Sequence, residues 1–455
     1  MSGCAGEARL QPVPQLASRA WSTPPAEIAE ADPRASLGRA LGSTELEGLI
    51  DQALAANPDA EVAAARVDQA RALLRVARAA MLPSGGLNGQ VVRYRSSGTT
   101  DPIASSLTGG LSVSYDVDLF GANSAKRRAS LERLRAAGAD RDAVLLVIES
   151  ETARAYVQRA ALAERVALLD ANIARSTELE RIIKVRLENG AATRADLGFQ
   201  TIRVRALQQD RETLEQALEK TRTALAVLCG REAPVFQSTP AALERLRIPQ
   251  FGSATPRDLL LSRPDIRSAE ARISAAGGDV AVARAAFLPT IRLSADVLGD
   301  AAGFGGPAGV LLSAGSGLLA PIFDRGRLKG ELQGAAARQR ESVADYRKTL
   351  LAALAEVEDA LTAVRQSGVR EQLVAQMLEE SRITARLVHL QFLGGEADIR
   401  AVLDADQDLT SAESAHAVVL QERLEAAIDL FRATGGRLSG DPAPHRLQQT
   451  ASRER

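Results

Sequence analysis

Ala77-Arg78-Ala79-Ala80-Met81-Leu82-Pro83 returns as Ala283-Arg284-Ala285-Ala286-Phe287-Leu288-Pro289. Asn57-Pro58-Asp59 returns as Arg263-Pro264-Asp265. Both pairs stand 206 residues apart, and a constant offset over such a distance marks a duplicated unit. The chain is therefore two copies of one structural pattern, and an inference about either copy has a test in the other.

Working outward, residues 1–42 form an extended arm, with Pro12, Pro14, Pro24, Pro25 and Pro33 interrupting any helix. The first copy, 43–229, opens with a helix capped by Ser43 or Thr44, kinked or restarted at Pro58 and ended by Pro83. A β-hairpin over 87–119 follows. Its first strand is placed at 87–97, before a polar loop. In the second, Leu111-Ser112-Val113-Ser114-Tyr115-Asp116-Val117-Asp118-Leu119 alternates apolar and polar over nine residues. Next come a long helix from Ala122 to Leu187, a break at 188–192 and a helix from Thr193 to Cys229. Residues 230–255 are a linker with room for a short helix near 241–246. The second copy, 256–434, repeats the order: a helix to Phe287, a hairpin over 290–320 whose turn is the Gly-rich segment 299–309, a helix from Arg325 to Phe392, a turn at Gly394-Gly395 and a helix from Asp398. Val343, Tyr346, Leu350, Leu354, Val357, Leu361 and Val364 step by three or four along the long helix, as in a coiled-coil seam. Residues 435–455 are a polar tail.

At 1.5 Å per residue each long helix is about 100 Å. The shorter helices of a copy total about 105–115 Å end to end, so they match its length when laid beside it. Aromatics are only 3% of the 455 residues, which suits helices packed through Ala and Leu better than a compact core. Four strands per chain cannot close a hollow barrel, and their edges need partners. Three chains supply twelve, an even number within the range of outer-membrane barrels. Strands of about 9–11 residues cross a bilayer when tilted. Tyr94, Tyr115, Phe120, Phe287, Phe304 and Phe323 lie in or beside the strand regions, as interfacial girdles require, although β-propensity alone also draws aromatics there.

The order strand–strand–long helix–turn–helix, twice, resembles the TolC-like outer-membrane efflux proteins, in particular their NodT-type lipoprotein branch. The residues that carry the resemblance are Tyr115-Asp116-Val117-Asp118-Leu119-Phe120-Gly121, its counterpart 320–328, Phe287-Leu288-Pro289 and Val402-Leu403-Asp404-Ala405. It spans about residues 40–435. It implies a mainly α, internally duplicated fold, with a trimeric twelve-stranded β-barrel in the outer membrane continuous with a long periplasmic α-helical barrel. It also implies a passive exit duct of a tripartite efflux system, working with a periplasmic adaptor and an inner-membrane pump of RND type. Residues 230–255 and both termini would form an equatorial belt. Met1-Ser2-Gly3-Cys4-Ala5-Gly6 is similar to the end of a bacterial lipoprotein signal, which makes Cys4 the expected lipid attachment. The charged and apolar segments that precede such a cysteine are not in this chain, so either they lie upstream or the match is fortuitous.

The resemblance also implies site residues. Asp404 would face the narrow periplasmic entrance as a threefold carboxylate ring that favours cations. Asp408 lies one turn on along the same face, whereas Asp406 points about 200° away. The polar lock of some relatives would fall on Phe392, Ala397 and Asp196, where Phe and Ala lack its polar groups, so a hydrophobic closure through Phe392 and Leu393 is the alternative. Arg186, Gly190, Arg194, Asp196, Gly394 and Gly395 form the turns expected to meet the adaptor.

Other chemistries have little footing. The net charge is −1, so no global basic field points to nucleic acid. His389, His416 and His445 show no metal spacing. The Gly-rich segment has no Lys-Ser or Lys-Thr after it to cradle phosphate, and no nucleophile constellation emerges. No cofactor and no catalysis are expected. No run of about 18 apolar residues exists. Cys229, before Gly230, reads as a buried small hydrophobe. Two rivals use long helices without a pore: a periplasmic adaptor, which needs one hairpin and a lipoyl-like domain, and a scaffolding coiled coil, which has no use for the strand 111–119.

Overall fold

The computed structural model describes residues 36–95, 103–239, 242–249, 263–302 and 308–436. Cys4, Phe304, His445, the start proposed for the second copy and most of both tails lie outside them. The described elements run α1 (Leu37–Ala40), α2 (Thr44–Ala56), α3 (Pro58–Ala79), β1 (Ser84–Arg95), β2 (Ile103–Val117), α4 (Ala122–Glu188) and α5 (Arg194–Leu228). A 3₁₀ turn at Leu243–Arg245 follows, then α6 (Pro264–Ala285), β3 (Thr290–Ala302), β4 (Ala308–Leu319), α7 (Arg327–Gly394) and α8 (Ile399–Ala433).

Two compact units divide the chain, and each draws on both copies. The first holds the sheet, most of α3, the start of α4, nearly all of α6 and the start of α7. Its strands pair in the order β1-β2-β3-β4, all antiparallel, so the two hairpins join through β2 and β3. Leu87, Leu111, Val297 and Leu312 stand opposite one another in turn across all four strands. They are 86%, 51%, 42% and 74% exposed, an apolar face that the other described residues leave largely uncovered. The reverse face pairs Gln90 with Thr108, Thr108 with Asp300, and Ser112 with Asp296. There Arg292 also grips Asp116 through bonds of 2.6 and 3.1 Å. Beside the sheet, α4 and α6 approach so closely that a Cβ on Gly278 would lie 2.9 Å from the Ala129 side chain. Arg133 pairs with Asp279 at 2.5 Å and Arg272 with Asp140 at 2.7 Å.

The second unit holds one large core, in which Leu37, Leu46, Tyr156, Leu225, Val357 and Phe431 are buried together with Phe236, Leu243 and Leu246 of the linker. The described stretches of the linker are thus packed against the core. Each copy closes on itself here in the same way. Asn57, just before Pro58, donates to the carbonyl of Leu228 at the end of α5 (2.9 Å). Its counterpart Arg263, just before Pro264, donates to the carbonyl of Ala433 at the end of α8 (2.8 Å). Asn57 Oδ1 also accepts the Asp59 amide at 2.8 Å, which caps α3 and explains why Pro58 restarts the helix. Arg263-Pro264 starts α6 at the matching place, so a helix running unbroken into Phe287 is corrected: α6 begins at Pro264 and ends at Ala285.

The strands also differ from expectation. They contain 12, 15, 13 and 12 residues, longer than the 9–11 foreseen. β2 begins at Ile103, where a loop was expected, and the Gly299–Gly309 turn is mostly ladder. Glycine is disfavoured in strands because it gains no side-chain contact for the entropy it loses. Here Gly89, Gly109 and Gly299 are successive cross-strand neighbours, and backbone pairing carries the strands through them. At Gly110 a Cβ would lie 2.3 Å from the carbonyl oxygen of Val297, so this approach of β2 to β3 needs glycine. On α7 the helix includes Gly394, and the left-handed residue that turns the chain is Gly395 alone (φ 81°).

Candidate gate and helix turns

The site begins where long helices end, within the second unit. α4 closes with a glycine motif: the amide of Gly190 donates to Leu187 O (3.0 Å) and that of Ala191 to Arg186 O (2.8 Å), with Gly190 at φ 74°. α7 closes identically, with Gly395 donating to Phe392 O (3.2 Å) and Glu396 to Gln391 O (2.8 Å). The next helices start under side-chain caps. Thr193 and Asp196 form a reciprocal capping box at α5. Asp398 caps α8 through the Ala401 amide at 2.9 Å.

Asp196 is thus engaged within its own turn. The hydrogen bond from the Thr193 hydroxyl, then that from the Thr193 amide, holds its carboxyl below the usual carboxylate range, with Arg400 adding to the effect. Phe392 is only 4% exposed and packs with Leu179, Ile183 and Val402, whereas Leu393 beside it is 63% exposed. Arg186 lies across Phe392, its guanidinium carbon 4.1 Å from the ring centroid, and its Nη2 donates to Phe392 O at 3.2 Å. One side chain of the first copy thereby holds both the ring and the terminal carbonyl of the second copy's long helix. Arg194 is exposed and makes no ion pair or hydrogen bond among the described residues.

On α8, Asp404 and Asp408 are exposed four residues apart, and neither has a hydrogen bond or ion pair among the described residues. Asp406 is half-buried and bonded to His389 Nε2 at 2.9 Å, on the opposite side from Asp404. Among the described residues no group of three His, Cys, Asp or Glu side chains is placed to hold a metal.

Sequence reasoning quoted two functional carboxylates without giving them a role. Asp118 accepts the amides of Asn123 (2.9 Å) and Ser124 (2.8 Å), at the start of α4. Asp324 accepts those of Gly326 and Leu328 (2.9 Å each), at the start of α7. Burial works to raise the Asp118 pKa, but the bonds from Ser124 and Asn123 outweigh it and hold the carboxyl low. The signal was an Asp repeated at the duplication offset just before a left-handed glycine, Gly121 or Gly326. The Arg186–Phe392 contact had no such signal, because nothing local links residues so far apart.

Long helices ended by matching glycine turns, together with a four-stranded sheet that leaves an apolar face exposed among the described residues, define a mainly helical protein. Comparison with known proteins names the class. The family model for the outer membrane efflux protein matches twice, over residues 49–231 and 255–436, one match for each copy. The pyoverdine export outer membrane protein OpmQ of Pseudomonas putida is 33% identical over 435 residues, covering 92% of each chain. Outer membrane protein OprJ of Pseudomonas aeruginosa is 30% identical over 409 residues, covering 86% of this chain and 84% of its own. The solved structure of the outer-membrane channel OprN superposes with a TM-score of 0.83 at 26% identity, over 93% of this chain and 97% of its own. The chain belongs to the outer membrane efflux protein family, and its place is the cell outer membrane.

Proposed function

We propose that three copies of this chain join their sheets edge to edge into a twelve-stranded barrel, and their helices into a periplasmic tube, to form the passive exit duct of a tripartite efflux system. The observation that carries this reading is the sheet: β1 and β4 each have one unpaired edge among the described residues, and the apolar face is largely uncovered by them. Such edges and such a face are stable only when neighbouring strands and lipid cover them. Further support comes from exposed Phe120, Phe287 and Phe323, which gather at the helix-proximal end of the strands as an interfacial girdle does. Val369, Leu373, Met377, Leu387 and Leu390 of α7 are also exposed and call for a neighbouring copy.

In this reading Cys4 carries the lipid anchor. The turns at Arg186–Asp196 and Gly394–Gly395 meet a periplasmic adaptor that links the duct to an inner-membrane pump of RND type. The protein performs no catalysis and needs no cofactor. Asp404 and Asp408, unpaired and exposed, form carboxylate rings at the entrance, with Leu393 rather than the buried Phe392 offered to the pore. The protein should extract from outer membranes as a heat-sensitive trimer that conducts in planar bilayers, and a monomer free in the periplasm would refute the duct. Asp404→Ala should weaken divalent-cation block of that conductance, while an unchanged block removes Asp404 from the pore.

A further inference from the structure

Away from the turns, within the second unit, α4, α5 and α8 line a half-open groove of about 570 Å³, within the range of small-molecule sites. Its wall contains two guanidinium groups, Arg165 and Arg203, and one carboxylate, Asp210, whose field acts on Arg203. Arg203 is committed: it bonds to Gln407 Oε1 and lies in the attractive fields of Asp406 and Asp210. Arg165 has no hydrogen bond or ion pair among the described residues, and its Nε is buried without a partner. Burial alone acts on it, lowering its pKa, yet a guanidinium remains charged at any physiological pH. A half-buried cation without a counter-charge is costly, and elsewhere on α4 Arg154 and Arg175 avoid that cost. Arg154 meets Asp429 and Glu425, and Arg175 meets Glu413.

The rest of the wall completes a binding site. Ser411 and Ser414 line the groove with hydroxyls that make no hydrogen bond among the described residues. Leu168, Leu207 and Leu214 supply an apolar wall beside them. A free cation, unused hydroxyls and leucines in one groove match a single kind of ligand, an anionic head on an apolar body. We propose that this groove binds a small amphiphilic organic anion, a carboxylate or sulfonate on an apolar ring or chain, with Arg165 as its counter-ion. A small inorganic anion would leave the leucine wall unused, and a neutral molecule would leave Arg165 unpaired.

The test uses the full-length protein extracted from outer membranes into lipid nanodiscs. The probe is 6-fluoro-2-naphthoate, followed by ¹⁹F NMR against empty nanodiscs, with its neutral carboxamide as comparison. The acid should bind saturably and the amide at least tenfold more weakly. Arg165→Gln should weaken acid binding tenfold to about a hundredfold, the range for losing a charge-assisted hydrogen bond. Arg165→Lys should retain part of it. Leu214→Trp, which fills the groove and keeps the charge, should abolish binding, so the result does not hang on one variant. Equal binding of acid and amide, unaltered binding in Arg165→Gln or Leu214→Trp, or no binding to the wild-type protein would each overturn the proposal. Bilayer conductance measured on the same preparations judges the duct separately, since the proposal requires no change in it.

Discussion

Replacing Arg186 by Gln tests whether the two long helices are tied at their ends. The guanidinium sits 4.1 Å from the Phe392 centroid and half-buried, where a cation–π contact contributes about 1 kcal/mol. The bond of Nη2 to Phe392 O, 3.2 Å long, carries the extra strength of a charged donor, again about 1 kcal/mol over a neutral one. Gln keeps much of the length and a donor but loses both charge effects, so local closure weakens by about 2 kcal/mol, or roughly 30-fold in the opening equilibrium. Hydrogen exchange followed by mass spectrometry on the peptide spanning residues 387–398 reads this directly, since the amides of Gly395 and Glu396 are bonded back to Phe392 and Gln391. The expected result is about 30-fold faster exchange at those amides, unchanged exchange in the core around Tyr156, and a higher open probability in planar bilayers. Arg194→Gln, at the exposed first residue of α5, should leave exchange at wild-type rates. Arg186→Lys should fall between, because a lysine is a weaker partner for a ring. If Arg186→Gln and wild type exchange alike over 387–398, the contact carries no closure energy and the reasoning fails.

Glycine offers a contrast between two left-handed turns. At Gly230 (φ 63°) a Cβ would stand 2.1 Å from the Ala56 carbonyl oxygen, so Gly230→Ala should cost several kcal/mol and much of the folded yield. Gly190 (φ 74°) has open space around it, so Gly190→Ala should cost only about 1 kcal/mol; similar melting temperatures for the two variants would contradict this. Asp118→Ala removes the carboxylate that starts α4, at a cost of about 1 kcal/mol at pH 7. Because the folded state depresses this carboxyl, its stabilisation is present above the unfolded value near 4 and is lost as pH falls through the folded one, so the melting gap from wild type should close on acidification. Cys229 is fully buried, its Sγ near Leu49 O, and burial pushes its thiol up to about 11. It should resist iodoacetamide at pH 8 until denatured. With its pKa raised, its share of stability is lost as pH rises from about 9 through 11, a loss Cys229→Ala should remove.

The helices were legible because their signals are local and come twice. Pro58 and Pro264 restart helices at equivalent places, Thr193 and Asp398 stand where caps are needed, and Val343, Tyr346, Leu350 and Val357 are all buried along one seam. Strand ends were less legible. The alternation of 111–119 exposed the middle of β2, but Thr108-Gly109-Gly110 reads as a turn by composition, and only its pairing with Gly299 and Leu298 shows a ladder. Lengths of 9–11 residues were read from the apolar runs, and backbone pairing carries the strands beyond those runs to 12–15 residues. At the site, Asp404 was picked out by the family resemblance and Asp408 by helical spacing from it, and both are exposed. The burial of Phe392 was not legible, because it depends on Ile183 and Arg186 of α4 and Val402 of α8 arriving from two other segments.

The duplication explains which parts of the two copies stay alike. Asn57 and Arg263 differ in size and charge, yet each donates to the last carbonyls of its own copy's closing helix, so geometry persisted while chemistry drifted. Asp118 and Asp324 kept both, because a helix start needs acceptors for its free amides and a carboxylate supplies two at once. Beyond the paired glycines the copies part. Thr193-Arg194-Ala195-Asp196 builds a capping box, while Asp398-Ile399-Arg400-Ala401 caps with its Asp alone and leads into the unpaired Asp404 and Asp408. In the proposed trimer the two turns of a chain need not face the same axis. The second copy's turn is the one we assign to the constriction, because Asp404 and Asp408 beyond it have no hydrogen bond or ion pair among the described residues. Arg186 ties the first copy's turn to it through the Phe392 ring and carbonyl.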